Sequence, residues 1–395
     1  MRILHSYIPT WNGDHLTKEI IYVQLLSALL AKREFGKIDF FTNPDIKKQI
    51  LEIGIPYDNI DDEILNISNK ELFSVFKMKV FKEMNEPFVH IDTDTFIYNH
   101  IDFSKVNSAM FSHPDIPVPE NMDLYKTASQ ICTAYPNLDE TDYFFKAGRH
   151  SYLNLFDKLS LEHSEFKKKN IRVCEIPNMN IVAVNNYSDF KLASEMALEH
   201  YYKNRDVIYN TENGECYIEQ LMIHLNLMEI SNDYLNDVKN NKTFLMKGPP
   251  VKVVSKYDWP KTEIEYPITI FQNSIYDGVN PNEIEINNLH YMKTHQNTYV
   301  TGYTDMVKLI QIKSLEDLPN YFNFDFNGVN HLSFYKWNDV FQALIIGQIV
   351  KMFGEEYVES VFQYYYKNFG SDTSPGEKLY EKLTGFKFIK IKTLL

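Results

Sequence analysis

Glu86-Pro-Phe-Val-His-Ile-Asp-Thr-Asp-Thr-Phe-Ile97 is an apolar run that ends in two carboxylates, Asp92 and Asp94. Its Phe, Val and Ile residues predict a buried strand, and side chains two residues apart leave a strand on one face. Both carboxylates are therefore expected to crowd one spot. At about 6 Å and an effective dielectric of about 20, two like charges repel by about 3 kcal/mol. A divalent cation offsets that cost, because Mg2+ or Mn2+ takes one or two carboxylates and completes its shell with water and phosphate oxygens. The plainer alternative is an acidic turn solvated at a strand end.

Working outward, Glu71 to Met84 predicts a helix that leads into a Phe88 to Ile91 strand. The aspartates then lie at a strand's carboxyl end, where open parallel sheets bind ligands. Upstream, Arg2 to Ile8 reads as a strand and Ile20 to Arg33 as a helix stopped by Gly36. A short strand to Thr42 follows, and Asn43-Pro44 opens a second helix. This alternation is the signature of a sheet with crossover helices. Downstream, Ser104 to Tyr143 is irregular and Lys167 to Lys169 is a solvated charge run. Val173 to Val184 predicts another buried strand carrying Asn178 and Asn180, and Glu215 to Met228 a helix. Lys252 to Lys256 and Ile268 to Phe271 are further strand candidates. The apolar and aromatic stretch from Trp337 to Phe369 predicts one long helix. The expected fold class is α/β, with one domain over residues 1–310 and a helical extension over 311–395.

A chain of 395 residues with 44% hydrophobic content can bury a substantial core. Its net charge of −13 argues against a nucleic-acid surface, which needs clustered Lys and Arg. Cys132, Cys174 and Cys216 are widely spaced and odd in number, so neither a disulfide framework nor a zinc site is indicated. The first ten residues do not form a secretory signal, and Val340 to Val350 is too short to span a bilayer. The expectation is a cytoplasmic protein without an integral membrane segment.

Asp92-Thr-Asp-Thr-Phe-Ile97, followed by Asn99-His-Ile-Asp102, resembles the D-x-D segment of GT-A fold glycosyltransferases. Three later segments agree in order. Ile176-Pro-Asn-Met-Asn-Ile-Val-Ala-Val-Asn185 resembles the sugar-facing strand of the family-eight glycosyltransferases and of related uncharacterised bacterial enzymes. Tyr217-Ile-Glu-Gln-Leu221 resembles their helix start, and Leu289-His-Tyr-Met-Lys293 their late histidine with a downstream lysine. Two departures stand out: Asn180 replaces the family's glycine, and no glycine separates His290 from Lys293.

The resemblance implies a GT-A-like, Rossmann-like mixed and mostly parallel sheet, and a metal-dependent transfer from a nucleotide sugar, UDP-linked and retaining, to a glycan, lipid-linked or protein acceptor. It implies Asp92, Asp94 and His290 as ligands of Mn2+ or Mg2+, with Asp92 sharing the metal or holding the ribose. Lys77, with Lys79 as its competitor, and Lys293 would contact the donor, Asn178 and Asn180 the sugar hydroxyls, and Glu219, followed by Gln220, the reacting face. Tyr7 and Trp11 follow the first strand, where a base could stack. Two rivals compete. The pair Asp92 and Asp94 also matches the first motif of haloacid-dehalogenase-type phosphatases, although no later acidic pair completes it. The other rival is a transferase-like scaffold without turnover that serves as a binding module.

Overall fold

The computed structural model describes residues 1–9, 16–64, 73–97, 101–112, 114–115, 176–209, 217–240, 242–245 and 337–389. The architecture is α/β: a mixed main sheet of six strands flanked by helices. The chain divides into two units, each assembled from segments distant in sequence. The first takes Met1–Thr10, Glu63–Asp92 and Ile101–Ile264, and the second Trp11–Asp62, Thr93–His100 and Glu265–Leu395.

In the first unit β1 (Arg2–Ser6), β4 (Phe88–Ile91), β8 (Ile181–Val184) and β5 (Ala109–Phe111) lie in that spatial order. β1 and β4 are parallel, with Leu4 beside His90. β8 runs antiparallel to both of its neighbours, so Ile181 faces Ile91 and Val184 faces Phe88. The sheet is thus mixed, as expected: the β1/β4 pairing is parallel and both pairings of β8 are antiparallel. Hydrophobic pattern fixes which residues are strand but carries no direction. Phe88, Val89 and Ile91 are fully buried, each worth about 1.5–3 kcal/mol.

The run from Val173 to Val184 does not form one strand either. β7 (Ile176–Pro177) pairs antiparallel with β6 (Pro114–Asp115), and the chain breaks at residues 178–180 before β8. Pro177 has no N–H for a ladder, and Asn178 turns its side-chain oxygen to the N–H of Asn180 at 3.0 Å. Ser112 Oγ donates to the Asn178 carbonyl at 2.8 Å and approaches its Oδ1 at 3.0 Å, bracing the break.

Helices α3 (Phe73–Glu83) and α4 (Tyr187–Lys203) pack together, followed by α5 (Arg205–Tyr209), a π-helical turn (Tyr217–Met222), α6 (Ile223–Ile230) and α7 (Asn232–Lys239). Phe81, Phe88 and Phe190 interlock, with ring centroids 5.3–5.8 Å apart. Those separations fall in the range that favours edge and offset aromatic contacts.

The second unit contains α1 (Lys18–Phe35), the parallel strands β2 (Asp39–Phe41) and β3 (Asn59–Asp61), and α2 (Pro44–Ile53). Its helix ends follow the sequence signals. Thr17 caps α1 through Ile20 N–H, Gly36 closes it, and Asn43 caps α2 through Ile46 N–H at 2.8 Å. The stretch expected as one long helix is instead α8 (Trp337–Phe353) and α9 (Glu355–Phe369), followed by α10 (Pro375–Thr384). Gly354 makes the break: its φ is 118°, and a Cβ there would collide with the Glu356 carboxylate.

α1 packs against α8 and α9, and α2 against α9. The join between α1 and α10 is polar and buried. Lys18 Nζ reaches Glu377 at 3.0 Å and the Asp372 carbonyl at 3.1 Å, and Tyr22 O–H donates to Glu377 at 2.6 Å. Glu377 also accepts from Ser374 N–H at 2.7 Å, completing a capping box on α10.

Candidate functional site

β4 stops at Ile91, so strand geometry does not extend through the second aspartate, which lies in the following turn. This corrects the same-face argument. Asp92 continues the ladder by one bond, donating its N–H to the Asn180 carbonyl at 2.8 Å. Asp94 is half-buried, and the next backbone carbonyl, that of Thr95, accepts from Ser27 of α1 at 2.7 Å.

The crowding that faces Asp92 comes from a different pair of residues. Lys77, on the buried face of α3, directs its ammonium to Asp92 Oδ1 at 2.7 Å, to Glu219 Oε1 at 2.5 Å and to the Met179 carbonyl at 2.7 Å. An ammonium has three protons, and these three acceptors use them all. The Lys77 and Glu219 side chains are 4% and 7% exposed and that of Asp92 26%, so the last is the member facing outward. One cation against two carboxylates leaves the cluster one negative charge in excess when both are ionised.

That imbalance shapes the protonation equilibria. Burial raises the Glu219 carboxyl, Lys77 draws it back and Asp92 adds to the rise, which places it at about 7. Burial likewise pushes Asp92 up against the pull of Lys77. For Lys77 burial acts downward, but Asp92 and Glu219 outweigh it and hold the ammonium at about 12. His90 is fully buried beside Asp92; burial, then the charge of Lys77, then His5 depress its pKa well below the usual value. It is neutral.

A carboxyl raised in the folded state binds its proton more tightly there than in the unfolded chain, so its contribution is present at low pH and declines as pH rises from about 4.5 to about 7. Wild type should therefore lose stability relative to Glu219→Gln across that window and then run parallel to it above. Urea unfolding at pH 4.5, 6 and 8 checks this. A constant difference between the two proteins would remove the buried carboxyl from the explanation.

Residues 12–138 resemble a family of unknown function, DUF6734. The matched span carries Lys77, Asp92 and Asp94 and ends before Asn178, Asn180 and Glu219. No curated protein matches the chain.

The other sequence-derived candidates are distributed as follows. Asn178 and Asn180 are both buried; the Asn180 carbonyl accepts from Asp92 N–H, and the Asn178 side-chain oxygen serves the backbone break. Gln220 follows Glu219 on the π-helical turn; it is 5% exposed, and its Oε1 has no hydrogen-bond partner among the described residues. Such turns recur at functional positions. Tyr7 is half-buried just past β1. Trp11, His290, Lys293, the three cysteines and the strand candidates at 252–256 and 268–271 lie outside the described residues.

Among the described residues no three His, Cys, Asp or Glu side chains gather closely enough to hold a metal ion. The donor chemistry at Asp92 nevertheless suits a hard divalent cation: it is an outward-facing carboxylate in a cluster with surplus negative charge, and Mg2+ or Mn2+ needs only one or two such groups beside phosphate oxygens. Sequence reasoning missed His90 and Ser6. The signal for His90 was its position two residues before Asp92 in a strand, hence on the same face.

Among the described residues no helix is long and apolar enough to cross a membrane.

Proposed function

We propose that the chain is a metal-dependent glycosyltransferase of GT-A-like fold, moving a sugar from a nucleotide-sugar donor, UDP-linked by the resemblance, to a glycan, lipid-linked or protein acceptor. One observation carries this reading: a single buried ammonium, Lys77 Nζ, gathers the Asp92 segment, the Asn178–Asn180 break and Glu219 within 2.5–2.7 Å. These three segments, far apart in sequence, are the ones that separately resemble the D-x-D, sugar-facing and Glu-Gln motifs.

Breaking the bond between an anomeric carbon and a diphosphate builds negative charge on the leaving oxygen. A bound Mn2+ or Mg2+ supplies Lewis-acid stabilisation of that charge, worth several kcal/mol. The resemblance implies Asp92, Asp94 and His290 as its ligands. Lys77 has its protons committed to the protein, so it acts by fixing Asp92 and Glu219 rather than by reaching phosphate. Glu219, with its carboxyl raised to about 7, is suited to exchange a proton near neutrality. Asn180 and Gln220, buried beside the same cluster, offer amide groups to sugar hydroxyls.

Asp94→Asn should abolish Mn2+-dependent binding of UDP while leaving the unfolding free energy in urea within about 1 kcal/mol of wild type, as expected for an isosteric change at a half-buried position. Calorimetric titration of UDP with and without Mn2+ measures it. Unchanged metal-dependent affinity in the variant would remove Asp94 from the site.

A further inference from the structure

We propose that His90 is a positioning residue for Asp92, with its Nδ1–H directed at Asp92 Oδ1 and its tautomer fixed by Ser6. This rests on the reading of Asp92 as a cation ligand. Ser6 Oγ lies 2.8 Å from His90 Nε2, and His90 Nδ1 lies 3.6 Å from Asp92 Oδ1. Among the described residues Nδ1 has no hydrogen-bond partner.

A neutral imidazole carries one donor and one acceptor nitrogen, and which is which depends on its two neighbours. A lone pair at Nδ1 would point at a carboxylate oxygen and be repelled. An N–H there is attracted. Nδ1 therefore carries the proton, Nε2 accepts, and the Ser6 O–H donates to it. The ring cannot turn to trade these roles: it is fully buried and meets the Phe81 ring edge-on at 5.3 Å.

The separation of 3.6 Å exceeds a hydrogen bond, and a small rotation of the carboxylate closes it. Lys77 grips the same oxygen at 2.7 Å. With Oδ1 held between an ammonium and an imidazole N–H, the orientation of the carboxylate is set before any cation arrives. Partners behind a metal ligand act in this way, and their loss typically lowers metal affinity about 10–100-fold.

The test uses the full chain and Mn2+, alone and with UDP, in an electron paramagnetic resonance titration of free Mn2+. The side-chain amide of Asn can place its NH2 where Nδ1–H lies, while that of Gln reaches toward Nε2. Ser6→Ala and His90→Gln should each weaken Mn2+ binding by about tenfold or more, and His90→Asn should stay within about threefold of wild type. Thermal unfolding of each variant separates folding from binding, since a purely structural histidine would make Asn and Gln equally harmful. Equal binding by all three variants, or equal loss in Asn and Gln, overturns the positioning role while leaving metal dependence intact. Failure of wild type to bind Mn2+ under either condition overturns the transferase reading and this inference with it.

Discussion

Lys77→Met should destabilise the fold by about 3–5 kcal/mol at pH 7, the usual consequence of removing one partner from a buried charge cluster. The substitution keeps most of the aliphatic stem, so packing on α3 is largely preserved. What disappears is the counter-charge for Asp92 and Glu219 and the donor to the Met179 carbonyl. Left together, the two carboxylates cannot both stay ionised, and Glu219, already raised to about 7, should take up the proton. The second substitution Glu219→Gln should recover part of the loss, because it removes one of the stranded charges. Urea unfolding of the two single variants and the double variant gives the coupling. A loss below about 1 kcal/mol in Lys77→Met would mean that the cluster is solvated rather than sealed.

Glu377→Ala should be comparably severe, at about 3–5 kcal/mol, and acts in the second unit. Glu377 is fully buried and answers Lys18, Tyr22 and Ser374 N–H together. Alanine leaves Lys18, itself 5% exposed, with the Asp372 carbonyl and the faces of Phe362 and Tyr365 in place of an ion partner. It also removes the carboxylate half of the capping box on α10. Glu377→Gln should cost less, since an amide oxygen can still accept from Tyr22. Guanidinium unfolding of the full chain measures both, and equal midpoints for Ala and Gln would show that the acceptor oxygen facing Tyr22 contributes nothing at this join.

The sequence made the local elements legible where local chemistry decides them. Asn43-Pro44 and Gly36 marked helix ends within a residue or two, and Phe88 to Ile91 marked the buried strand. Strand direction was not legible, because β8 is buried and apolar whichever way it runs. The break at 178–180 did have a signal, Pro177-Asn178, which was outweighed by the apolar residues on either side. Gly354 had the same standing within an aromatic helical run.

At the site, Asp92, Lys77 and Glu219 were each picked out from sequence, but their mutual contact was not. The repulsion assigned to Asp92 and Asp94 rested on extending strand geometry past Ile91. The charge beside Asp92 is instead shared with a lysine 15 residues upstream and a glutamate far downstream. Pairings of that kind, like Lys18 with Glu377 across 359 residues, are set by packing, which period and composition do not encode.

A screen of nucleotide sugars for slow hydrolysis, run with Mn2+ and again with a chelator, bears most directly on the transferase reading, since water can replace a missing acceptor. Release of a nucleoside diphosphate from at least one donor, dependent on Mn2+ and lost in Asp92→Asn, is the outcome that agrees with it. Hydrolysis of phosphomonoesters with every nucleotide sugar untouched would contradict it and favour the phosphatase alternative; metal-dependent UDP binding without any turnover would point instead to a binding module.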